Sequence, residues 1–374
     1  MRTIFGSRRD RLLAKVCAFL IAAALIAGMA GCDGDGGYNP PPSENLEIRT
    51  WYDLDDVRDN LAGNHTLMNN LDSTTAGYTE LASPTANGGK GWEPIGTFIT
   101  NIGSAGFWGT FDGQGYEIRD LYINRLDEDF VGLFGYVEQS GVIEDIGAVN
   151  VTVIGGMHGI GGLVGCNEGT LSNCYCSGKV TGNKDVGGLV GVNNHGTVYN
   201  SYFTGNVIGN LQVGGLAGRN HGTVSNSHST GSVTGVEVVG GLVGSQSYAI
   251  VSNSYSTSSV TGDNSVGGLV GINYEYEGTV SHSYSTGSVT GTSYVGGLVG
   301  TNGGNVTNSF WDIQTSGQTT SAGGTGKNTT GMQDIGTFSG ASWNITAVAL
   351  NQTNPAYIWN IVNNVTYPFL SWQP

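Results

Sequence analysis

The sequence predicts an all-β protein: a parallel β-helix (β-solenoid) of about seven rungs, with N- and C-terminal caps that contain short helices. The first observation is the motif Gly-Gly-Leu-Val-Gly, which opens at Gly161 and returns with little change at 187, 214, 240, 267 and 296. The successive steps are 26, 27, 26, 27 and 29 residues, and a nearly fixed period of that size is typical of a solenoid. A more divergent copy, Gly132-Leu133-Phe134-Gly135, precedes them.

Constant spacing between apolar positions is the second observation. The distance from the motif leucine to a second apolar column varies from 8 to 11 residues, and all of the length variation lies there. The second and third columns are always nine residues apart, and the next Gly-Gly follows after seven. Three columns predict three β-rich segments per turn around a triangular core, with glycines of positive φ at the corners. The second and third columns are Leu171, Val198, Val224, Val251, Val280 and Val306, and Val180, Val207, Val233, Val260 and Val289.

Polar and aromatic columns in the second segment of each repeat are the third observation. Amide side chains in register form ladders between strands, and aromatic rings in register stack. We therefore expect interior or corner stacking here rather than a ligand platform. The columns are Asn173, Asn200, Asn226, Asn253, His282 and Asn308, and Tyr175, Tyr202, His228, Tyr255, Tyr284 and Phe310.

Residues 1–31 have the layout of a secretory signal peptide of the lipoprotein type. A basic start is followed by an apolar run over residues 16–26 and by small residues that end at Cys32. The sequence Met29-Ala30-Gly31-Cys32 resembles a bacterial lipobox, in which the cysteine is lipidated and becomes the new N-terminus. The apolar run is shorter than the roughly 20 residues of a membrane-spanning helix, so we favour a lipid anchor.

Residues 32–45 are rich in Gly, Asp and Pro and are typical of a flexible tether. The chain has 14 basic and 29 acidic residues, and removal of residues 1–31 takes away five and one of these, which leaves 9 and 28. The resulting net charge, 9 minus 28 or −19, repels nucleic acid. We expect no nucleic-acid partner, no cofactor and no metal site.

Both ends of a solenoid need a cover, because an open last turn exposes apolar core and unpaired strand edges. We assign residues 46–110 to an N-terminal cap with a short helix near 53–61. Residues 111–312 form the repeat body. Residues 313–374, rich in aromatic side chains, form a C-terminal cap, in which Met332, Ile335 and Phe338 fit one face of a short helix.

The repeat resembles a known family. Gly-Gly-Leu-Val-Gly followed by Gly-Thr-Val-Ser-Asn-Ser-Tyr-Ser-Thr-Gly-Ser-Val-Thr-Gly is similar to the GLUG repeat of bacterial surface proteins. The resemblance extends over about residues 92–312 and gains its specificity from the number of copies. It implies an exported β-helical protein, often linked to adhesion, with no family-wide catalytic residues to transfer.

Three cysteines, Cys166, Cys174 and Cys176, fall within one repeat. In an oxidising envelope a disulfide from Cys166 to either of the other two is reasonable, although packing as small residues is the simpler interpretation. Their spacing does not fit a zinc site, and a fourth ligand is missing.

Acidic residues and histidines are the other candidates for chemistry. The acids concentrate near the first rungs, from Asp112 to Asp145, where a pair on adjacent rungs could cleave glycosides. A solvated face is the simpler interpretation. His195 and His221 occupy equivalent places on neighbouring rungs, but no nucleophile with an orienting acid accompanies them, so a catalytic triad is not supported.

The turn of variable length after the motif is the predicted contact surface. Insertions in repeat proteins gather on one face, which is often the binding face. Stacked turns would align these residues along one edge of the solenoid: His195, Arg219, His221, Tyr248, Tyr274, Glu275, Tyr276 and Glu277.

These observations favour a lipid-anchored protein of the bacterial cell envelope, exposed outside the cytoplasm. Its expected role is adhesion to a glycan or a surface protein, without enzymatic activity. The alternatives are a β-helical carbohydrate-active enzyme, either a lyase or a glycosidase, and a purely structural surface protein.

Overall fold

The computed structural model describes residues 45–99, 103–275 and 277–373. The predicted signal peptide, the tether up to residue 44, the lipidated Cys32 and the edge residue Tyr276 lie outside these ranges. Among the described residues, no helix is both long and apolar enough to cross a membrane.

The chain forms a parallel β-solenoid of about seven turns, as predicted, but each regular turn has four strands rather than three. One turn consists of Val190–Asn193, Thr197–Tyr199, Tyr202–Ile208 and Leu211–Gly214. Each of these strands pairs in parallel with its equivalent in the next turn. We call the sheets that contain them the first, second, third and fourth sheets, in that order.

The strands of these sheets are bounded as follows in the described part of the chain. The first sheet contains Phe134–Val137, Val164–Asn167, Val190–Asn193, Ala217–Asn220, Val243–Gln246, Val270–Asn273 and Val299–Asn302. The second contains Glu47–Ile48, Asn64–Leu67, Thr110–Asp112, Val142–Glu144, Thr170–Ser172, Thr197–Tyr199, Thr223–Ser225, Ile250–Ser252, Thr279–Ser281 and Asn305–Thr307. The third contains Glu117–Arg119, Tyr122–Arg125, Gly147–Gly155, Tyr175–Thr181, Tyr202–Ile208, His228–Thr234, Tyr255–Ser256, Ser259–Thr261, Tyr284–Ser285, Val289–Thr290, Phe310–Asp312 and Thr325–Lys327. The fourth contains His158–Gly161, Lys184–Gly187, Leu211–Gly214, Glu237–Gly240, Asn264–Gly267 and Ser293–Gly296.

Each strand of a turn places apolar side chains in a common core. The motif leucines, such as Leu189 and Leu242, are fully buried between the fourth and first sheets, and the predicted second and third columns also face inward. A fourth column was not predicted, because it directly precedes Gly-Gly and merges with the motif in the sequence. Its members are Val186, Val213, Val239 and Val266, which are fully buried.

The motif glycines are required for close backbone packing and not for left-handed conformation, which corrects the prediction for these corners. A Cβ atom on Gly218 would lie 2.4 Å from the carbonyl carbon of Asp185, which precedes the neighbouring first-sheet strand Val190–Asn193. One series of left-handed residues lies between the second and third sheets, with φ between 46° and 54°, and consists of Asn173, Asn200, Asn226, Asn253, His282 and Asn308. A separate series lies in or just before the fourth sheet, with φ between 52° and 72°. Its members are Phe130, Gly159, Asp185, Gln212, Val238, Ser265 and Tyr294.

Two buried ladders of polar side chains join the turns. At the end of the first-sheet strands, Asn167 Nδ2 donates to Asn193 Oδ1 and Asn193 Nδ2 donates to Asn220 Oδ1, both at 2.8 Å. At the start of the third sheet, Ser201 Oγ accepts from the backbone N–H of Cys174 at 3.1 Å. The same bond recurs at Ser227, Ser254, Ser283 and Ser309.

The aromatic rings stack as predicted, but they lie on the outer side of the third sheet, against the C-terminal segment, and not in the interior of the solenoid. From Tyr175 through Tyr202, His228 and Tyr255 to Tyr284, neighbouring ring centroids lie 4.8–5.1 Å apart, with interplanar angles of 7° or less. Because the rings stack face to face, they present only their edges outward.

The N-terminal segment contains helix α1 (Trp51–Asp56), which continues as the 3-10 turn Val57–Asp59. Its start is fixed by a capping box, since Thr50 Oγ1 accepts from Asp53 N while the Asp53 carboxylate accepts from Thr50 N. Further along are helix α2 (Tyr78–Leu81), the 3-10 turn Ala86–Gly89 and the antiparallel hairpin Thr97–Ile99 with Gly103–Ala105.

The C-terminal segment has two parts with different positions. After helix α3 (Ile313–Ser316), residues 318–327 lie over the last turn, where Ser321 Oγ accepts from Val299 N at 2.9 Å. The remainder packs against the outer side of the third sheet, where Trp372 Nε1 donates to Asn226 O at 3.1 Å. This remainder contains helices α4 (Thr329–Met332) and α5 (Ile335–Ser339) and the strands Ile345–Ala347, Trp359–Ile361 and Phe369–Leu370.

Candidate functional site

The predicted contact edge is the row of turns between the first and second sheets. Successive turns are joined by backbone hydrogen bonds of 2.7 Å, from Asn194 N to Asn167 O and from His221 N to Asn193 O. Longer turns insert extra residues beside this row, and His195, Tyr248 and Glu277 among them adopt positive φ. The structure places the following predicted residues along the edge: His195, His221, Tyr248, Tyr274, Glu275 and Glu277.

The two histidines of the edge are neighbours, but they are not in register. The backbone partner of His221 shows that it is equivalent to Asn194, because the turn that contains His195 is one residue longer. His221 Nδ1 lies 3.0 Å from Ser247 Oγ. Burial, followed by the nearby charges of Arg219 and His195, lowers the pKa of His221. His221 is therefore neutral at pH 7 and suited to hydrogen bonding.

Two tyrosines make the edge suitable for contact with another molecule. Tyr248 is 62% exposed and Tyr274 is 40% exposed. Tyrosine combines a large apolar ring with a hydroxyl group, and it is enriched at interfaces for that reason. The edge thus offers aromatic surface on turns that a rigid solenoid holds in a row.

Arg219, which was predicted for the edge, lies instead in the first-sheet strand Ala217–Asn220. Its side chain enters a seam on the outer side of the solenoid, between the fourth and first sheets. We define the seam as the junction where each left-handed residue of the fourth sheet passes over the first-sheet strand that follows it in the chain and meets the next strand of that sheet. One pair of this seam is Gln212 and Ser245, with Gln212 Nε2 donating to Ser245 Oγ at 2.9 Å. Asp185 and Arg219 form the equivalent charged pair, with 3.7 Å between Oδ2 and Nη2.

Asp185 is the centre of a charged cluster in the seam. Its Oδ2 lies 2.5 Å from Nε2 of His158, and Nη2 of Arg219 lies 3.2 Å from the same imidazole nitrogen. Asp185 is fully buried, whereas the side chains of His158 and Arg219 are each 27% exposed. Neither carboxylate oxygen has a well-aligned hydrogen bond within the described residues. The two neighbouring side chains therefore supply the compensation that a buried carboxylate needs.

The sequence interpretation missed this cluster. It considered His195 and His221, for which it found no acidic partner, whereas the histidine that has one is His158. The available signal was the period, because His158 and Asp185 are 27 residues apart and His158 pairs with Lys184, the residue before Asp185. That signal was weak, since only the left-handed backbone at Asp185 turns its side chain outward into the seam.

A pocket of about 260 Å³ opens in the seam beside this cluster. Three aromatic and three polar side chains line most of it: Phe98, Phe130, Tyr136, Glu168, Asn194 and Arg219. The pocket lies over Val192, whose partner position in the seam is Gly159. Gly159 has no side chain, and the ring of Phe130 occupies the space beside it, since a Cβ atom on Gly159 would lie 2.5 Å from Phe130 Cδ1.

The three cysteines are free thiols in the structure, so the disulfide that the sequence allowed is not formed. Cys166 packs with Tyr136 and Val192 on the outer side of the first sheet, whereas Cys174 and Cys176 lie in the core. The first-sheet strand Val164–Asn167 therefore lies between the Cys166 thiol and the other two thiols. Burial raises the pKa of Cys166 to about 12, so its thiol is protonated at neutral pH and is a poor nucleophile.

The acidic residues near the first rungs are mostly bonded within the fold. Glu117 accepts from the Tyr175 hydroxyl at 2.5 Å, and Arg125 Nη1 donates to Glu128 at 2.8 Å. Asp112 and Glu144 stand in register on adjacent strands. Burial, together with Asp112 and the adjacent Asp145, raises the pKa of Glu144. Glu117 and Glu128 are therefore bonded within the fold, whereas Asp112 and Glu144 are neighbouring acids on adjacent rungs.

Comparison with known proteins gives a family for the repeats. The GLUG motif matches at residues 157–181, 182–208, 209–234 and 262–290. The chain therefore carries GLUG repeats in tandem, which confirms the resemblance seen in its sequence.

Two similar proteins share part of this chain. Halomucin of Haloquadratum walsbyi is 37% identical over 155 residues, which are 41% of this chain and 2% of halomucin. A protein of Evansella cellulosilytica, provisionally named a Gly-rich membrane protein, is 32% identical over 169 residues, which are 43% of this chain and 18% of that protein. The chain thus spans only a small part of the length of these relatives.

A solved structure shares the fold. It is the crystal structure of a Bacteroides ovatus protein provisionally named an immunoglobulin A1 protease, with a TM-score of 0.53 and 19% sequence identity. The alignment covers 89% of this chain and 94% of that one. At this level of identity the likeness supports the architecture and carries no information about activity.

Proposed function

We propose that this GLUG-repeat solenoid is an exported, lipid-anchored binding module of the bacterial cell envelope, which contacts a glycan or a surface protein through the edge. The observation that carries the proposal is the row of stacked turns that expose Tyr248 and Tyr274 on a rigid scaffold. One relative is named as a membrane protein, which agrees with a place at the envelope. Since loops on rigid scaffolds are frequent binding sites, the variable turns are the natural contact region.

Alanine substitution of the edge tyrosines tests the contact. We expect the triple variant Tyr248→Ala, Tyr274→Ala and Tyr276→Ala to lose binding on glycan and matrix-protein arrays. The matched control replaces Tyr199 and Tyr294, which are 41% and 68% exposed on other surfaces, and should bind like wild type. Unchanged binding by a folded triple variant would show that the edge is not the contact surface.

Mass spectrometry of the mature N-terminus tests the lipid anchor. We expect a diacylglyceryl group on Cys32 and release of the Cys32→Ser variant from the membrane fraction. A membrane-associated protein whose Cys32 is unmodified would exclude lipidation.

The charged cluster in the seam favours a second candidate, a carbohydrate-active enzyme. His158 and Asp185 are in short contact, as an acid and a base of an enzyme can be, and Arg219 beside them could stabilise negative charge. If the protein were such an enzyme, a polysaccharide panel would yield new reducing ends or unsaturated products, and His158→Gln would abolish them. A purely structural protein would self-associate without any ligand.

A further inference from the structure

We infer that the seam pocket holds one neutral sugar ring and is a glycan subsite distinct from the exposed tyrosines of the edge. The inference rests on the proposed binding function and specifies its ligand. The volume of about 260 Å³ lies below the roughly 300–1,000 Å³ of pockets for drug-sized ligands, so the pocket fits a single ring.

Aromatic rings give the pocket a rigid apolar wall. Phe98 is stacked on Tyr136 with 5.4 Å between ring centroids and meets Phe130 edge to face at 5.9 Å. Phe98 is 45% exposed, so part of its surface remains available to a ligand. The C–H face of a sugar ring is apolar and packs on such a surface, as other ligands do on the aromatic lining of binding pockets.

The polar side of the pocket offers both donors and acceptors. Asn194 Nδ2 donates to Glu168 Oε1 at 2.7 Å, which fixes both side chains. A carboxylate can accept several hydrogen bonds, and an arginine has five N–H groups. Sugar hydroxyl groups donate and accept at once, so they match this mixture of Glu168, Asn194 and Arg219.

The charges in and around the pocket select a neutral ligand. The lining contains one acid, Glu168, and one base, Arg219, and the charge of Arg219 is already compensated by Asp185. A sugar carboxylate would face Glu168 without a free cation to bind. A quaternary ammonium group placed on the aromatic rings would face Arg219. A neutral ring avoids both conflicts.

Ligand-observed NMR and calorimetry on the full chain test the inference. The probes are the methyl glycosides of glucose, galactose, mannose and N-acetylglucosamine, with glucuronic acid, N-acetylneuraminic acid and choline for comparison. We expect saturable binding of at least one neutral glycoside, with a Kd on the order of 1 mM, and no binding of the acids or choline. Binding of no neutral glycoside, or of a charged probe in preference, would overturn the inference.

Variants based on the repeat itself locate the site. Val192→Tyr places a ring on the pocket floor in the column where Tyr136 already stands, and should weaken glycoside binding by about tenfold or more. Ile272→Tyr makes the same change in that column three turns away and should have no effect. If Val192→Tyr does not fold, Phe98→Ala removes the exposed wall and should weaken binding equally. Full binding by the folded pocket variant would place the sugar elsewhere.

The edge variants separate this inference from the proposed function. Glycoside binding that survives in the triple tyrosine variant, while array binding is lost, supports both sites. If wild type binds a neutral glycoside but nothing on the arrays, the proposed edge fails and the pocket stands. If the arrays bind through the edge and no glycoside binds, the pocket fails and the edge stands.

Discussion

One residue in or just before each fourth-sheet strand adopts left-handed backbone angles, and Gly159 is the sole glycine among the seven described residues in this series. Val238, with φ 61°, is unfavourable there because its side chain is β-branched. Such a residue costs about 1–3 kcal/mol and persists because its surroundings fix it. Here the surroundings are the motif glycines, which pack directly on the left-handed backbone that precedes the neighbouring first-sheet strand. With the backbone fixed in this way, the side chains can differ, and that variation places Asp185 in one turn and Gly159, packed against Phe130, in another.

The serine ladder gives a prediction at this scale. Ser227→Ala removes the acceptor for the buried N–H of Ser201, which should lower the free energy of unfolding by about 1–3 kcal/mol. Cys174→Ser should cost much less, since Cys174 occupies the same ladder position and its thiol already donates to Ser172 O. Urea unfolding of both variants measures the difference. Equal midpoints would show that the ladder bond contributes little.

His228 should make stability depend on pH. Burial in the aromatic stack lowers its pKa to about 4, so the folded state disfavours the proton that the unfolded chain binds below pH 6.5. Its contribution is therefore complete above pH 6.5 and is lost as the pH falls towards 4, with a total of about 3 kcal/mol. We expect His228→Tyr, which copies Tyr202 and Tyr255, to remove this part of the dependence. Urea unfolding between pH 7 and pH 4.5 would contradict the idea if both proteins lost stability equally.

The strands form the constant core of this fold, whereas the edge turns vary in length and sequence. Strands repeat the same inward columns in every turn, because parallel pairing in register places identical positions on top of one another. The edge turns contribute no side chains to the apolar columns, so they can differ in length without disturbing the strands around them. Chemical variation consequently gathers at the edge and along the seam, and not in the columns.

The motif leucine should be essential for the central turns. Leu242→Asp places an unpaired carboxylate among fully buried side chains and should cost about 4 kcal/mol or more. Thr261→Asp, on the exposed side of the same solenoid, is the matched control and should be near neutral. Calorimetry distinguishes them, and a cooperative melting curve close to that of wild type for Leu242→Asp would refute the assignment of the core.

At the scale of the whole molecule, the two parts of the C-terminal segment protect different surfaces. Residues 318–327 cover the last turn, whose open strand edges would otherwise be free to pair with another chain. The part beyond residue 328 covers the aromatic stack, for example through the bond from the Tyr284 hydroxyl to Pro368 O at 2.5 Å. The second part therefore shields aromatic rings on the side of the solenoid rather than its end.

Truncation after residue 328 tests whether the last part of the chain protects the aromatic stack independently of the cover over the last turn. The shortened protein keeps the cover of the last turn but exposes the rings of Tyr255, Tyr284 and Phe310. We expect retained β-structure by circular dichroism, a lower Tm, and stronger binding of a hydrophobic dye. An unchanged Tm and unchanged dye binding would mean that the segment contributes no protection.

By itself, the sequence determined the solenoid, its period, the three predicted columns and the stacking of the aromatic rings. It could do so because in-register parallel strands turn a linear repeat directly into a spatial column. It also located the edge, since differences in length between repeats are visible without a structure.

Tertiary structure alone decided the fourth strand, the seam and its pocket. The fourth strand directly precedes the motif, so its apolar column could not be told apart from the motif in the sequence. The seam depends on left-handed dihedral angles at residues such as Asp185, Val238 and Tyr294, and these residue types do not predict that conformation. Contacts such as that between His158 and Arg219 join residues 61 positions apart through two turns of the coil. Such contacts arise from the stacking of successive turns, a property that no single repeat contains.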